Sequence, residues 1–373
     1  MVYYICHYTC SEIEKEQRAC APAARCKASY IIDKLSDISD VEVISPSVTN
    51  AYRVVSGSKT KMSNGSTLKT FTSFNSSISL IRFIGRILTN ILLILYLIKN
   101  LKRSDKVLVY HSLALIKIIS LLKRLIGFEL TIEIEEIYSN VTNNKRCRAK
   151  EMKFFEIADK YIMITGLLNE KINIKNKPVA ITHGAYSLPN MFDKLWNDEK
   201  MHIVYAGTFN PTKGGVFAAI KAAEYLNEKY HMHILGFGSE ENVKNVKSEI
   251  KRVSSITKAE ISYHGQLKGN EYISFLQSCD IGLSTQNPSG KFNNTSFPSK
   301  ILSYMSNGLR VVSIRIPAIE TSYVGKYMYY YDEQNPEKIA KAIMEVDVLD
   351  DYDGREIVKE LDEQFSKDLK ELF

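Results

Sequence analysis

The chain has 373 residues, of which 45% are hydrophobic and 24% charged, with a formal net charge of +7. This composition fits a globular protein long enough for two domains, and it excludes collagenous, disordered and disulfide-rich classes. Six cysteines occur without a CxxC pair, which indicates reduced thiols in a cytoplasmic protein. A metal site built from the first four cysteines and His7 is the alternative.

Positive charge is concentrated in the first half of the chain. Residues 1–190 contain 27 Lys and Arg against 16 Asp and Glu, whereas residues 191–373 contain 22 against 26. The asymmetry indicates an anionic partner facing the first half, such as an anionic membrane leaflet, or else merely a solvated basic surface. No motif interleaves aromatic and basic residues, so nucleic acid is not predicted as a partner.

The chain opens with a β-α-β pattern. Tyr3 to His7 predicts a strand, Ala21 to Leu35 a helix with apolar residues at helical spacing, and Val41 to Ile44 a second strand. The N-terminus lacks the basic region of a signal peptide, and the absence of a GxGxxG fingerprint argues against dinucleotide binding here. The polar residues 56–79 predict a flexible loop or weak hairpin, suited to an acceptor-binding loop or a plain surface excursion.

The most apolar segment runs from Ile81 to Arg103 and contains an uninterrupted apolar run of eight residues between basic side chains. A bilayer core of about 30 Å needs about 20 apolar residues, so the run predicts no transmembrane helix. Two interpretations remain: a buried helix of the α/β core, or a helix in the membrane interface with its basic ends on lipid headgroups. Leu113 to Ile126 predicts a second basic amphipathic helix.

Two predicted strands of the first half end next to side chains that can act as acids or bases. Lys106 to Tyr110 is followed by His111, and the strand beginning at Glu129 carries Glu135 and Glu136 at its carboxyl end. Ligands of open parallel sheets gather outside the carboxyl ends of the strands. We therefore expect these three side chains to face one crevice, with a purely structural His111 as the alternative.

After a predicted linker over Ser187 to Lys200, the second half begins with a strand that runs into a glycine turn. Gly207 and Thr208 follow this strand, and Lys213 precedes the next predicted helix. A strand, a glycine turn, a lysine and a helix N-terminus can together form an anion cradle. Further strands and helices alternate to residue 331, which predicts a parallel sheet covered on both faces.

A second anion site is predicted where a short helix follows the polar loop from Gln286. The helix is predicted to start near Phe297, because Pro298 suits its first turn and Ser296 its cap, with Lys300 beside the free N–H groups. Gly308 fits the left-handed position that ends a helix, and the β-branched residues after it predict a buried strand.

The run Phe297-Pro298-Ser299-Lys300-Ile301, with Tyr304-Met305 and Gly308, resembles the donor-binding helix of the family-four, GT-B fold glycosyltransferases that build bacterial surface polysaccharides. The glycine turn resembles the Gly-x-x-x-x-x-Lys-Gly segment of the same family. The family's paired acidic residues are replaced here by Thr295 and Ser303. The resemblance implies two Rossmann-like domains facing across a cleft, with a C-terminal helix crossing back to the first domain.

The same resemblance implies the site residues. Those implied to be catalytic are His111, Glu135, Glu136, Lys213 and Lys300. Those implied to hold the donor are Gly207, Thr208, Lys213, Gly236, Gly238, Gln266, Leu267, Asn294, Thr295, Ser296, Pro298, Ser299, Lys300 and Ser303. The domains are expected at 1–188, with a closing helix at 355–373, and at 189–354. No metal or cofactor is expected.

The function implied is transfer of a sugar from a nucleotide-sugar, with a UDP-sugar favoured, to a bacterial polysaccharide or oligosaccharide that is lipid-linked. Retention of anomeric configuration and a place at the inner face of the cell membrane are also expected. Two alternatives stay open: a non-catalytic nucleotide-sugar-binding partner of another transferase, and a nucleotide-sugar epimerase of the same architecture.

Overall fold

The computed structural model describes residues 1–141, 145–209, 215–288, 293 and 295–373, and it contains two compact units. The first unit comprises Met1–Ala185 together with Gln364–Phe373, and the second comprises Tyr186–Glu363. Each unit is built on its own largely parallel β-sheet with helices in the connections.

The first unit contains a sheet of eight strands. Its eight strands are β1 (Val2–Ile5), β2 (Val41–Ser45), β4 (Lys59–Lys61), β5 (Thr67–Thr70), β7 (Lys106–Tyr110), β8 (Glu129–Ile134), β9 (Lys160–Met163) and β10 (Val179–Ile181). Two further strands, β3 (Val54–Val55) and β6 (Ser73–Phe74), pair with each other in a separate ribbon. The sheet order is β10-β9-β8-β7-β1-β2-β5-β4. Strands β1 and β2 are buried throughout, as expected for parallel strands covered on both faces.

The helices of the first unit are α1 (Pro22–Ser36), α2 (Ser79–Asn100), α3 (Ile116–Ile126), α4 (Tyr138–Val141), α5 (Lys145–Glu156) and α6 (Gly166–Ile172), with a 3₁₀ turn at Ser11–Glu16. The polar residues 56–79 form an ordered hairpin rather than a flexible loop. Strand β4 pairs antiparallel with β5, and β5 joins the sheet parallel to β2. The segment therefore extends one edge of the sheet.

Helix α2 has one buried face and one exposed apolar face. Residues four apart share a helix face, and the buried face consists of Gly85, Thr89, Leu93 and Leu97. The exposed apolar side chains include Ile84, Ile87, Ile91, Leu95 and Ile98. The interpretation as a buried core helix is therefore wrong. Both faces of α2 carry apolar side chains, and the rest of the unit packs against only one of them.

Helix α2 is also the one helix among the described residues that is long and apolar enough, by length and composition only, to cross a membrane. It has 22 residues, so the eight-residue apolar run understates its length. The length of that run therefore does not exclude a transmembrane helix.

The second unit contains a parallel sheet of six strands in the order β13-β12-β11-β14-β15-β16. The strands are β11 (Met201–Thr208), β12 (Tyr230–Phe237), β13 (Glu260–Gly265), β14 (Ile281–Ser284), β15 (Arg310–Ile314) and β16 (Met328–Tyr331). After β13 the chain returns to the opposite side of β11, so the strand order reverses between β11 and β14. The carboxyl ends of strands at such a switch point are where open α/β sheets bind ligands.

The helices of the second unit are α7 (Val216–Ala222), α8 (Glu240–Ser254), α9 (Gly269–Gln277), α10 (Lys300–Met305), α11 (Pro317–Glu320), α12 (Pro336–Met344) and α13 (Gly354–Leu372), with 3₁₀ turns at Ala223–Tyr225 and Tyr323–Tyr327. Helix α13 begins in the second unit, where the Asp353 carboxylate accepts hydrogen bonds from the amides of Arg355 and Glu356. Its last residues belong to the first unit, where Phe365 stacks on Tyr30.

Candidate active site

Tyr304 separates β11 from β14 at the switch point. The two strands pair only at Ile203 with Ile281 and at Val204 with Gly282. Beyond these pairs the Tyr304 hydroxyl accepts a hydrogen bond from the Ala206 amide at 2.9 Å and donates one to the Leu283 carbonyl at 3.3 Å. Gly282 makes room, since a Cβ there would lie 2.3 Å from the Tyr304 ring. The tyrosine is thus a wedge that completes the hydrogen bonding of two diverging strands.

Tyr304→Phe is expected to lower the free energy of unfolding by about 1–3 kcal/mol, because the buried Ala206 amide would lose its acceptor. Urea titration monitored by circular dichroism measures the change. Tyr323→Phe is the matched control, since the Tyr323 hydroxyl donates to Glu360 at the surface. Equal stability of the two variants would contradict the role of the wedge.

Lys300, the first residue of α10, places its ammonium group against the end of β11. Its Nζ lies 4.3 Å from the centroid of the Tyr205 ring. A Cβ added to Gly207 would lie 3.3 Å from the same Nζ. No carboxylate oxygen lies within 4.0 Å of it among the described residues, and burial lowers the Lys300 pKa to about 8. A poorly solvated cation without a protein counter-ion is suited to receive an anionic ligand.

A pocket of about 220 Å³ lies at the carboxyl ends of β11, β12 and β13. It is lined by Ala206, Gly207, Thr208, Leu235, Gly236, Phe237, Gln266, Leu267 and Tyr272. Gly236 has φ +149°, and a Cβ there would lie 1.9 Å from the Gly207 carbonyl oxygen. Only glycine therefore allows β11 and β12 to approach this closely beneath the pocket.

Five predicted donor-site residues line this pocket, namely Gly207, Thr208, Gly236, Gln266 and Leu267. Gly238 lies outside it, where a Cβ would meet Phe209 and Asn242 at 3.0 and 3.1 Å. Ser303 faces Tyr272, with 3.4 Å between their hydroxyl oxygens. Lys213 and Asn294 lie outside the described residues.

The helix start predicted near Phe297 is wrong by three residues. Helix α10 begins at Lys300 with Ser299 as its N-cap, and no side chain caps it. The Pro298 carbonyl instead accepts from the Ile301 amide at 3.0 Å, which closes a tight turn ahead of the helix. Ser296 is not a cap, and its buried hydroxyl has no partner among the described residues. Thr295 is buried just before it.

His111 lies at the carboxyl end of β7 in the first unit, in a buried aromatic environment. Its ring centroid is 4.8 Å from that of Phe155 and 5.0 Å from that of Tyr138. The ring Nε2 is 3.3 Å from the Glu151 carboxylate. Burial lowers the His111 pKa to about 4, so the imidazole is neutral near pH 7.

Glu135 belongs to a buried ionic cluster that the sequence analysis missed. Lys27 of α1 lies 3.2 Å from Glu133 and 3.1 Å from Glu135. Tyr110 donates to Glu135 at 2.9 Å, and Tyr4 donates to Glu133. Burial raises the pKa of Glu133. Burial alone would also raise the Glu135 pKa, but Lys27 and Tyr110 outweigh it and lower that pKa.

The structure thus brings His111, Glu135 and Glu136 to the carboxyl ends of β7 and β8, as parallel pairing of these strands requires. Their catalytic role stays a prediction. The residues that were missed, Tyr304, Tyr205 and Lys27, act through tertiary contacts between segments distant in sequence. For Tyr304 the burial could be foreseen from its spacing from Ile301 on one helix face, but the hydrogen-bond partners of its hydroxyl could not.

Residues 200–347 match a protein family described as glycosyl transferases group 1. This stretch of the second unit is therefore similar to a glycosyltransferase group 1 domain. The matched range contains the whole six-stranded sheet, the pocket and Lys300. No curated protein sequence matches the chain.

Solved structures share the fold over the full chain. Trehalose-6-phosphate synthase OtsA is 11% identical, with 100% of this chain and 97% of that one covered and a TM-score of 0.68. The α,α-trehalose-phosphate synthase (UDP-forming) of Burkholderia vietnamiensis is 10% identical, with coverage of 100% and 97% and a TM-score of 0.65. Anabaena Alr3699/HepE in complex with UDP and glucose is 12% identical, with coverage of 100% and 98% and a TM-score of 0.63. The predicted GT-B fold class, with two Rossmann-like domains, is confirmed.

Proposed function

We propose that the chain is a glycosyltransferase of the family-four type that moves a sugar from a nucleotide-sugar, with a UDP-sugar favoured, to a lipid-linked polysaccharide or oligosaccharide acceptor. The observation that carries the proposal is the Lys300 ammonium, which lacks a carboxylate partner among the described residues and lies beside Gly207, at the rim of the pocket. The match of residues 200–347 to glycosyl transferases group 1 supports binding of the nucleotide-sugar donor by the second unit. HepE, with UDP and glucose bound, shares the fold.

In this proposal the nucleotide base occupies the pocket beside Gln266 and Leu267, and the diphosphate extends from Gly207 toward Lys300. Negative charge develops on the diphosphate as the bond to the sugar breaks. Lys300 stabilises that charge more strongly than a solvated lysine can, because little water screens it. The proposal assigns Lys213 the role of a second cation, and the departing phosphate the role of helping to take the acceptor proton, with retention.

The test is a panel of sugar nucleotides, screened first by thermal shift and then by product analysis. A donor that binds the folded state raises the melting temperature, and the rise continues as its concentration exceeds the Kd. Transfer to a lipid-linked acceptor, at a rate independent of added Mg²⁺ or Mn²⁺, supports the proposal. Binding without turnover on any donor favours the non-catalytic partner. Interconversion of donors without an acceptor favours the epimerase.

The pH profile of kcat/KM for the donor is expected to fall above about pH 8. Lys300 must be protonated to attract the diphosphate, and burial lowers its pKa to about 8, so the charge is present below that pH and lost above it. Lys300→Arg keeps its charge at alkaline pH and should flatten this limb even if its overall rate is lower. An unchanged alkaline limb in the arginine variant would assign the titration to another group.

Helices α2 and α3 support the proposed contact with an anionic membrane. The exposed apolar face of α2 is accompanied on α3 by Leu121 and Leu125, which are also exposed. Exposed basic side chains lie on these two helices or just after α2, namely Arg82, Arg86, Lys99, Lys102, Arg103, Lys117 and Arg124. An apolar face bordered by cations is the arrangement of a helix that lies in the bilayer interface. The proposed lipid-linked acceptor would reach the enzyme at this surface.

The double variant Ile87→Glu, Ile91→Glu is expected to weaken binding to vesicles containing anionic lipid by roughly tenfold or more, since both exposed isoleucines would lose burial in lipid. Co-sedimentation at low and high salt measures the change. Ile256→Glu, at an exposed site of the second unit, is the control. Equal binding by all three proteins would remove the support for this membrane surface, and resistance to carbonate extraction would indicate a spanning helix instead.

A further inference from the structure

Four of the seven histidines lie together on the sheet of the second unit, away from the donor pocket. His202 on β11 pairs in register with His231 on β12, and His233 follows two residues later on the same face. His264 on β13 adjoins them. One ring nitrogen from each of His202, His231 and His233 can be chosen so that all lie within 4.8 Å of one another. The pattern His-Met-His on a strand places two imidazoles on one face.

His202 and His233 each use one ring nitrogen to contact a neighbouring side chain, and their other ring nitrogens face each other. His202 Nε2 lies 2.8 Å from the Asp198 carboxylate, and His233 Nδ1 lies 3.0 Å from His264 Nε2. The remaining nitrogens, His202 Nδ1 and His233 Nε2, face each other at 2.9 Å. Metal-binding histidines commonly have their second nitrogen held by a carboxylate or another acceptor in this way.

The spacing of two of the three nitrogens is close to that around a tetrahedral ion, and the chosen His231 nitrogen, within 4.8 Å of both, would have to close to the same separation. Zinc–nitrogen bonds of about 2.0–2.1 Å place two ligand nitrogens about 3.3 Å apart. The facing nitrogens of His202 and His233 need to separate by only a few tenths of an ångström from their 2.9 Å distance. At 2.9 Å these two nitrogens share a hydrogen bond, and its proton must move away before both nitrogens can bind the ion. A change of tautomer achieves this, because His233 can carry its proton on Nδ1 and donate it to His264.

Nearby side chains supply negative charge and a cover. Besides Asp198, the carboxylate of Glu260 lies 3.4 Å from His231 Nε2 and is paired with Lys200 at 2.6 Å. The same His231 nitrogen lies 2.9 Å from the Ser262 hydroxyl, which the ion would have to displace if it bound there. Trp196 stacks over the cluster, with its ring centroid 4.5 Å from that of His202 and 4.9 Å from that of His233. A cavity of about 370 Å³ lined by Trp196, Asp198, His202 and Tyr230 reaches the cluster from the side of His202.

We propose that His202, His231 and His233 form a binding site for a divalent transition-metal ion of the Zn²⁺ class, with a water molecule or Glu260 as the fourth ligand. Imidazole nitrogen suits such ions, whereas Mg²⁺ and Ca²⁺ prefer oxygen. His202 and Gly207 are five residues apart on β11, so roughly 17 Å separates the metal site from the donor pocket. The ion would therefore join β11 to β12 and stabilise the second unit, without contact with the donor.

The experiment uses the full chain without a histidine tag, dialysed against a chelator and kept reduced. Zn²⁺ affinity is measured by competition with a chromophoric chelator, and Co²⁺ serves as a spectroscopic probe. The variants are His231→Asn, which changes a partly exposed ring, and His233→Asn. His7→Asn, in the first unit, is the control. Melting temperatures with and without Zn²⁺ show whether each protein is folded and whether the ion stabilises it.

We expect one ion per chain, tetrahedral Co²⁺ bands without a thiolate charge-transfer band, and a higher melting temperature with Zn²⁺. Each cluster variant should bind at least about tenfold more weakly, and the control should be unchanged. If His233→Asn does not fold, His231→Asn decides the question. Absence of binding by the wild type, a thiolate band that assigns the ion to cysteines, or undiminished affinity in a folded cluster variant would each overturn the proposal.

Discussion

Lys300→Met is expected to reduce sugar transfer by roughly two to three orders of magnitude, the usual loss when one preorganised group that stabilises transition-state charge is removed. The fold should remain intact. Lys300 has no carboxylate within 4.0 Å in the described part of the chain, and burial lowers its pKa to about 8, so its charge costs stability rather than supplying it. Methionine keeps the length of the side chain and removes the cation.

Lys326→Met provides a matched control. Lys326 also places its Nζ over an aromatic ring, 4.4 Å from the centroid of Tyr323, but it lies outside the pocket. The rates of both variants with the donor found by screening, together with their melting temperatures, separate a catalytic effect from a loss of folding. Equal rates in the two variants, with both proteins folded, would count against Lys300 as the group that stabilises the diphosphate.

Lys27→Met is expected to have the largest effect on stability, lowering the free energy of unfolding by about 3–5 kcal/mol, the range for breaking a buried ion pair. The single positive charge of Lys27 lies between two carboxylates, those of Glu133 and Glu135, at 3.2 and 3.1 Å. Without it both carboxylates lose this counter-ion, so one of them must take up a proton or stay charged in a buried site. The loss should therefore diminish at low pH, where Glu133, whose pKa burial already raises, becomes neutral.

Two comparisons isolate the charge effect at Lys27. The double variant Lys27→Met, Glu133→Gln removes one buried charge of each sign and should recover part of the lost stability. Lys59→Met removes a half-exposed lysine from a pair with the buried Glu42, which still accepts a hydrogen bond from Tyr96, so it should cost less than Lys27→Met. Urea titration at several pH values measures all three variants. A cost for Lys27→Met no larger than that of Lys59→Met would show that the cluster does not depend on the lysine.

The parts of the donor side that could be predicted are those encoded locally. Gly207 and Gly236 lie at the carboxyl ends of β11 and β12, Gln266 directly follows β13, and parallel strands bring their carboxyl ends to one edge. Lys300 lies near the predicted start of a helix, so an error of three residues in that start did not misplace it. The order of the strands and the spacing along the chain were sufficient to predict where these residues lie.

Features that depend on contacts between distant segments could not be predicted in this way. The Tyr304 hydroxyl is placed by the separation of β11 from β14, which follows from the strand order of the whole sheet. Lys27 meets Glu133 only after α1 packs on the first sheet. The two apolar faces of α2 look alike in sequence, so only the packed structure shows which one is buried.

The most direct test of the central claim is calorimetric titration of the wild type and Lys300→Met with uridine and with UDP. The account predicts that UDP binds the wild type more tightly than uridine does, and that Lys300→Met loses this advantage by roughly 10-fold to 150-fold, the value of a charge-assisted hydrogen bond of about 1.5–3 kcal/mol. Other nucleoside diphosphates are titrated in parallel to identify the base. A nucleoside diphosphate that binds no better than its nucleoside, or equally well to the folded Lys300→Met variant, would contradict the assignment of this pocket and Lys300 as a nucleotide-sugar site.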